Sequence, residues 1–144
     1  MGRAMTTRSF RILFSAFVLA FVSLVAVNLR AQTLGGNADA AKVKNPVASS
    51  PASIQAGAAS FKKYCSFCHG DAAKGDDKLA PKGTMPADLT DAKWDRGATD
   101  GEIFAVIMNG AGPKFDMKGF KGRIPDQDAW NIVNYVRSLG PARR

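Results

Sequence analysis

Apolar residues between positions 53 and 140 recur every three or four residues, which is the period of an amphipathic helix. In the first segment, "SIQAGAASFKKYC", four residues share one predicted helix face: Ile54, Ala58, Phe61 and Cys65. Gly57 lies on this face as well. Because glycine inside a helix costs about 1 kcal/mol relative to alanine, its position indicates close approach by a second helix.

A second segment, "TDGEIFAVIMNG", has the same period. Thr99 and Glu102 have the spacing of a capping box, in which each side chain binds a free backbone N–H of the first turn. The pair Asn109-Gly110 is a typical helix end. One side of the predicted helix is apolar: Ile103, Val106 and Ile107.

The segment "PDQDAWNIVNYVRSLG" predicts a last helix that begins near Pro125 and ends at Gly140. Its apolar stripe consists of Ala129, Ile132, Val133 and Val136. A shorter helix is expected across "TDAKWD" around Trp94. Since no segment alternates with a period of two, the expected fold class is all-α, with three main helices and long loops.

The first 31 residues show a different pattern. An apolar run, Ile12 to Val27, follows three arginines and carries no polar face. It predicts a secretory signal peptide ending near Ala31, although residues 10–29 are almost long enough to remain as a membrane anchor. Either interpretation keeps the basic flank in the cytoplasm and places the rest of the chain outside, in the periplasm.

The composition divides the remaining chain into three parts. Residues 32–52 are small, polar and interrupted by Gly and Pro, which predicts a flexible linker that contributes no core. The folded domain is expected at 53–140, followed by a tail at 141–144. Roughly 90 residues with long loops bury a limited core, so a further stabilising element is expected.

The formal net charge of +8 is unevenly distributed. Residues 1–31 contain four arginines and no acidic residue, and they account for half of this charge. The lysines elsewhere are scattered, without an arginine-rich helix or a basic and aromatic array. The charge pattern therefore argues against nucleic-acid binding.

The stretch "KKYCSFCHG" contains both cysteines and the only histidine of the chain: Cys65, Cys68 and His69. A thioredoxin-like redox pair requires neighbouring strands, which the pattern lacks. A zinc site requires four ligands, and only three are present here. A structural disulfide is compatible with export, but it leaves the adjacent histidine without a role.

The remaining interpretation is covalent haem attachment, for which Cys-x-x-Cys-His is the motif. Two thiols three residues apart reach the two vinyl groups on one side of the porphyrin. The next residue then places an imidazole beneath the iron. The motif predicts one haem c bound through Cys65 and Cys68, with His69 as an iron ligand.

Residues 53–140 resemble the class I cytochrome c family, the small single-haem electron carriers. Gly57, Phe61 and Cys65 match the family's first helix, and "WNIVNYVRSLG" is similar to its last helix, whose aromatic residue packs across that glycine. The segments "PADLTD" and "TDGEIF" are most similar to periplasmic bacterial monohaem members. The resemblance implies the cytochrome c fold, with loops wrapped around one covalently attached haem.

The second iron ligand is expected to be a methionine, because the chain has no other histidine or free cysteine. "GAGPKFDMKGF" resembles the family's ligand loop and assigns Met117 to this role. Met85 and an open or water-bound site are the alternatives, whereas Met108 is expected to pack within the middle helix.

Other residues near the haem are less well defined. The family usually orients the histidine ring through a carbonyl in a Gly-Pro segment, whereas this chain has "GDDKLAP" there. Pro81 and Pro86 are the candidates for this role, and the alternative for each is an ordinary loop proline. Four aromatic residues are candidates for the haem pocket or ordinary core: Tyr64, Trp94, Phe115 and Trp130. Seven lysines form either a positive rim for acidic partners or a scattered solvated surface: Lys62, Lys63, Lys74, Lys78, Lys114, Lys118 and Lys121.

The resemblance implies a carrier of single electrons between redox proteins, and not an enzyme. One alternative is a cytochrome subunit of a dehydrogenase or oxidase complex, held by the N-terminal anchor. The other is a peroxidase or gas-binding haem protein with an open sixth iron site.

Overall fold

The computed structural model describes residues 36–76, 79–112 and 117–140. In chain order, these residues form a 3₁₀ turn, four helices and two short strands: Ala40–Lys42, α1 (Pro51–Tyr64), α2 (Ser66–His69), α3 (Asp100–Asn109), β1 (Gly110–Ala111), β2 (Met117–Lys118) and α4 (Asp126–Leu139). The three long helices and the all-α class confirm the expected architecture.

The predicted N-terminal leader or anchor, residues 1–31 with the apolar stretch 10–29, lies outside the described residues, as does the predicted tail at 141–144. Within the described ranges, no helix is both long and apolar enough to cross a membrane.

Helices α1 and α4 pack against each other at Gly57. A β-carbon on Gly57 would collide with the carbonyl of Asn131 and lie 2.8 Å from Cβ of Tyr135. The close approach inferred from the sequence is therefore present, and the phenol ring of Tyr135 also packs on Phe61, with 5.3 Å between ring centroids.

The buried face of α1 differs slightly from the predicted one. The most buried positions follow a four-residue step through Ser53, Gly57 and Phe61 to Cys65. Ile54 and Ala58 are only half-buried. The face is rotated because Ser53 makes hydrogen bonds at the crossing, so a polar residue occupies a position that a purely apolar pattern does not assign to the core.

Helices α3 and α4 follow their sequence signals. The Thr99 hydroxyl accepts a hydrogen bond from the Glu102 backbone N–H, and the Glu102 carboxylate accepts one from the Thr99 backbone N–H, at 3.3 and 2.9 Å. Gly110 ends α3 with φ +84°. The core of the described residues draws on all three long helices: Phe61, Cys65, Ala73, Ile103, Ile107, Met108, Ile124, Ala129, Trp130, Ile132, Val133 and Val136.

The predicted short helix around Trp94 is wrong. Residues 90–99 form turns, because aspartate side chains bind the backbone N–H groups locally. Asp88 Oδ1 accepts from the Thr90 backbone at 2.7 Å, and Asp91 Oδ1 accepts from the Lys93 backbone at 2.8 Å.

Residues 36–50 lie against the helices, in contrast to the expectation of a linker that contributes no core. Asn45 donates to the side chain of Asn134 in α4 at 2.8 Å, and Asn134 donates to the carbonyl of Val47 at 3.1 Å. Val47 packs on the hydrophobic core. Polar side chains hold this segment, which explains why its composition is typical of a linker.

A two-stranded antiparallel hairpin follows α3, and the sequence pattern did not predict it. Ala111 pairs with Met117, and Gly110 pairs with Lys118. Beyond the hairpin, the Phe120 backbone N–H donates to the Ile107 carbonyl at 3.0 Å. The hairpin therefore fixes the position of Met117 relative to the C-terminal end of α3.

Candidate functional site

The Cys-x-x-Cys-His segment forms a single helical turn. Cys65 lies at the junction of α1 and α2, and its carbonyl accepts hydrogen bonds from the backbone N–H groups of Cys68 and His69, at 3.1 and 3.0 Å. Cys65 and Cys68 are not joined in a disulfide. The turn therefore presents two thiols and one imidazole from five consecutive residues.

Cys65 and His69 are each only 9% exposed. Burial raises the pKa of the Cys65 thiol to about 12, with a smaller contribution from Cys68. Burial also lowers the pKa of His69, although its hydrogen bond to a backbone carbonyl opposes this shift. The imidazole is therefore neutral near pH 7, which is the form that ligates metals.

The ring of His69 is oriented by the carbonyl of Ala87, 3.0 Å from Nδ1. A carbonyl only accepts hydrogen bonds, so Nδ1 carries the proton and the lone pair of Nε2 is available to a metal. The expectation that Pro81 or Pro86 supplies this carbonyl is wrong. Ala87 directly follows Pro86, so the acceptor lies one residue further along the chain.

The three methionines of residues 36–140 lie in different environments. Met117 is half-buried in β2. Met108 is buried in α3 and belongs to the hydrophobic core, as expected. Met85 is 95% exposed.

The segment after Met117 contacts the end of α1 next to the cysteines. The ring of Phe120 meets the ring of Tyr64 edge-on, with 6.0 Å between centroids, and Tyr64 immediately precedes Cys65. Thus the structure groups Cys65, Cys68 and His69 on one turn and connects the Met117 segment to that region through aromatic packing.

The remaining aromatic candidates have identified neighbours. Trp130 stacks on Phe104 with 3.9 Å between ring centroids, and the guanidinium of Arg137 lies 5.7 Å from the ring centroid of Trp94. Phe104 was not singled out in the sequence, although its position one residue after Ile103 places it beside the apolar stripe of α3. Phe115 lies outside the described residues, as do Lys78 and Lys114.

The donor set fits a covalently attached haem. Two cysteine side chains on one turn suit two thioether bonds, and Nε2 of His69 is available because Nδ1 is already bound. Within the described ranges, no three His, Cys, Asp or Glu side chains converge in an arrangement that would hold a metal ion by themselves. The helical fold and this turn together define a c-type cytochrome.

A family model described as "Cytochrome C oxidase, cbb3-type, subunit III" matches residues 52–136. The chain belongs to this family of c-type cytochromes. The family implies a covalently bound haem c as the cofactor, in agreement with the sequence motif.

Curated relatives support this assignment. The chain is 33% identical over 93 residues to the cbb3-type cytochrome c oxidase subunit FixPc of Rhizobium leguminosarum bv. viciae, covering 64% of this chain and 30% of that protein. It is 35% identical over 86 residues to subunit FixP of Bradyrhizobium sp. (strain ORS 278), covering 59% and 27%. It is also 33% identical over 86 residues to cytochrome c6 of Gracilaria tenuistipitata var. liui, covering 59% and 71%. The chain thus spans under a third of the two oxidase subunits.

Solved structures agree on the fold. Cytochrome cL of Methylophaga aminisulfidivorans superposes with a TM-score of 0.53 at 26% identity, covering 67% of this chain and 58% of that one. A chain of the Kuenenia stuttgartiensis reducing HAO-like protein complex gives a TM-score of 0.59 at 25% identity, covering 69% and 50%.

Proposed function

We propose that the protein carries single electrons between redox proteins through one haem c, attached at Cys65 and Cys68 and ligated by His69 and Met117. The observation that supports this most directly is the buried His69 ring, whose Nδ1 binds the Ala87 carbonyl at 3.0 Å and which shares one helical turn with Cys65 and Cys68. When bound, the haem iron supplies a one-electron couple between its ferrous and ferric forms.

Three parts of the chain are proposed to hold the haem: the α1–α4 crossing, the Ala87 carbonyl and Met117. The α1–α4 crossing fixes the turn that carries the cysteines and His69, because Cys65 continues the buried face of α1. The Ala87 carbonyl fixes the His69 tautomer and increases the basicity of its ring. Met117 supplies a thioether from a hairpin strand, which raises the reduction potential relative to a second imidazole.

The redox partners are proposed to be proteins with acidic docking surfaces. Five lysines from the proposed positive rim are exposed: Lys62, Lys63, Lys74, Lys118 and Lys121. Charges of this kind accelerate encounter with acidic partners, and salt weakens the effect. Since the proposed leader or anchor at residues 1–31 implies export, we propose a periplasmic location.

A second candidate is the role of a cytochrome subunit in an oxidase complex. The matching family model and the two FixP relatives are all named as subunits of cbb3-type oxidases, and these names favour the candidate. A fixed complex predicts co-purification of the cytochrome with an oxidase from membranes, with residues 10–29 still attached. A freely diffusing carrier predicts a monomer whose N-terminus lies near Gln32.

The sixth ligand is tested by Met117→Ala. We expect loss of the methionine–iron charge-transfer band and a fall in reduction potential of about 0.1–0.3 V, within the roughly 0.8 V range that axial ligation covers. Met85→Ala is the matched control, because Met85 is 95% exposed.

Two results would contradict this assignment. If the band survives in Met117→Ala, Met117 is not the ligand. If the wild-type ferric protein lacks the band and binds cyanide or peroxide rapidly, the sixth site is open and a peroxidase or gas-binding function replaces electron transfer.

A further inference from the structure

The turn at residues 70–75, directly after His69, forms backbone hydrogen bonds with His69 and with the segment that contains Ala87. The Gly75 backbone N–H donates to the carbonyl of His69 at 2.8 Å, which returns the chain to the ligand residue. Within the turn, the carbonyl of Ala73 accepts from the Leu89 backbone N–H at 2.8 Å. The segment with Ala87, the acceptor for the His69 ring, is therefore attached to this turn two residues further along, at Leu89.

Gly75 makes the closest approach between the turn and this segment. Its φ of +70° is in the left-handed region, where side chains are rarely accommodated. A β-carbon on Gly75 would also collide with the Pro86 carbonyl and would lie 2.9 Å from the Ala87 oxygen. That oxygen is the atom that binds Nδ1 of His69.

We infer that Gly75 is a positioning residue for the iron ligand: its lack of a side chain allows residues 86 and 87 to approach closely enough for the Ala87 carbonyl to reach the His69 ring. This inference rests on the proposed function, because the ring matters only if His69 ligates haem iron. It also explains how the ring is oriented without a Gly-Pro segment soon after the haem motif, since the acceptor Ala87 packs on Gly75, twelve residues before it.

The physical consequence concerns the reduction potential. A strong Nδ1–H···O hydrogen bond increases the basicity of the imidazole and stabilises the ferric iron. A side chain at position 75 displaces the Ala87 carbonyl and weakens this bond. We therefore expect Gly75→Ala to raise the potential and to accelerate exchange of the Nδ1 proton by roughly two- to tenfold, the range expected for loss of one hydrogen bond.

Gly83→Ala is the matched control. Gly83 has φ +83°, and a β-carbon there would meet no atom within 4 Å. Both substitutions therefore cost similar backbone strain, but only Gly75→Ala introduces a collision. The test compares the potential of the haem-loaded protein by spectroelectrochemistry and the Nδ1 proton by NMR.

The outcomes separate this inference from the proposed function. A raised potential and faster exchange in Gly75→Ala alone support it. If Gly75→Ala and Gly83→Ala have the same reduction potential and the same rate of Nδ1 proton exchange, the inference about Gly75 is overturned. In that case, a His/Met haem spectrum of the wild-type protein still supports the proposed electron-transfer function. A wild-type protein without haem overturns the function itself.

A second pair of variants covers the case in which Gly75→Ala does not fold. Asp88 accepts from Thr90 at the backbone and at the hydroxyl, at 2.7 and 2.6 Å, and so fixes the chain just after Ala87. Asp88→Ala is expected to raise the potential more than Asp91→Ala, which removes the same charge and a similar turn at Lys93. Equal potentials in this pair overturn the inference.

Discussion

The crossing of α1 and α4 and the loops beside His69 are held by different kinds of contact. At the crossing, Gly57 meets the Asn131 backbone while buried side chains form hydrogen bonds with one another. Beside His69, the main contacts are hydrogen bonds of the backbone, from Gly75 to His69 and from Leu89 to Ala73. Substitutions at the crossing should therefore change stability, whereas substitutions in the loops should change the orientation of the ligand.

The largest effect is expected for Gly57→Ala. Its β-carbon collides with the Asn131 carbonyl, a backbone atom that moves only if the helices separate. We expect a loss of about 3 kcal/mol or more in the free energy of unfolding, at the upper end of overpacking costs. Urea denaturation of the haem-loaded protein measures it.

Ala59→Val serves as the control for Gly57→Ala, because it adds bulk to an exposed position of the same helix. A loss below about 1 kcal/mol in Gly57→Ala would show that the helices separate easily. The crossing would then not be the rigid region of the molecule.

A smaller effect is expected for Asn134→Ala, which removes the centre of the buried polar network. Asn134 donates to Ser53 Oγ at 2.8 Å and accepts from Asn45 at 2.8 Å, and Ser53 donates to Asn131 at 2.8 Å. Because Ser53 stays buried after it loses this partner, we expect a loss of about 2–3 kcal/mol in stability.

Gln127→Ala, at an exposed position of α4, is the control for Asn134→Ala. A double-mutant cycle with Asn45→Ala isolates the coupling between the side chains of Asn45 and Asn134. Additive effects would mean that this hydrogen bond does not stabilise the attachment of residues 36–50 to α4.

The sequence predicted those features whose residues lie within a few positions of one another along the chain. Thr99 and Glu102 are three residues apart, and Gly57 lies four residues before Phe61, so the capping box and the crossing were both visible. The acceptor for His69 was not, because Ala87 lies 18 residues away and contributes a backbone atom that any residue has. Asn45 was not visible either, since its partner Asn134 lies 89 residues away.

Glu102 combines the two kinds of contact, because its buried side chain forms hydrogen bonds with the backbone of the loop before α3. The pH dependence of Glu102→Gln therefore tests how much a side chain contributes to holding a loop. The Glu102 carboxylate accepts from the backbone N–H groups of Ala98 and Thr99, each at 2.9 Å, and from the Thr99 hydroxyl. The Thr99 hydrogen bonds are the main cause that lowers the pKa of Glu102 from its ordinary value of 4.5, whereas burial opposes this shift.

A lowered pKa in the folded state means that the stabilisation is complete above pH 4.5 and is lost as the pH falls through the folded value. At pH 7 we expect Glu102→Gln to cost about 1 kcal/mol, the usual worth of a helix cap. The difference from wild type should shrink during acid titration, as measured by urea denaturation. Asp76→Asn, at an exposed loop position, is the control; a difference independent of pH would contradict this role of Glu102.

The smallest effect is expected for Asp100→Asn, between α3 and α4. Nε of Arg137 donates to Asp100 Oδ1 at 2.6 Å, and Nη2 forms an ion pair with the same oxygen. Both ends are partly exposed, with 21% of the arginine side chain and 39% of the aspartate side chain accessible. Exposed pairs contribute about 0.2–1 kcal/mol, and salt screens them. Arg137 also donates to the Ala98 carbonyl at 2.7 Å, so it keeps a partner after the substitution.

For Asp100→Asn we expect a loss below about 1 kcal/mol in the free energy of unfolding, and this loss should disappear at high ionic strength in urea denaturation. A larger loss of stability that does not depend on salt would contradict this expectation. It would mean that the ion pair behaves like the buried hydrogen bonds of Asn134 and that it connects α3 firmly to the α1–α4 crossing.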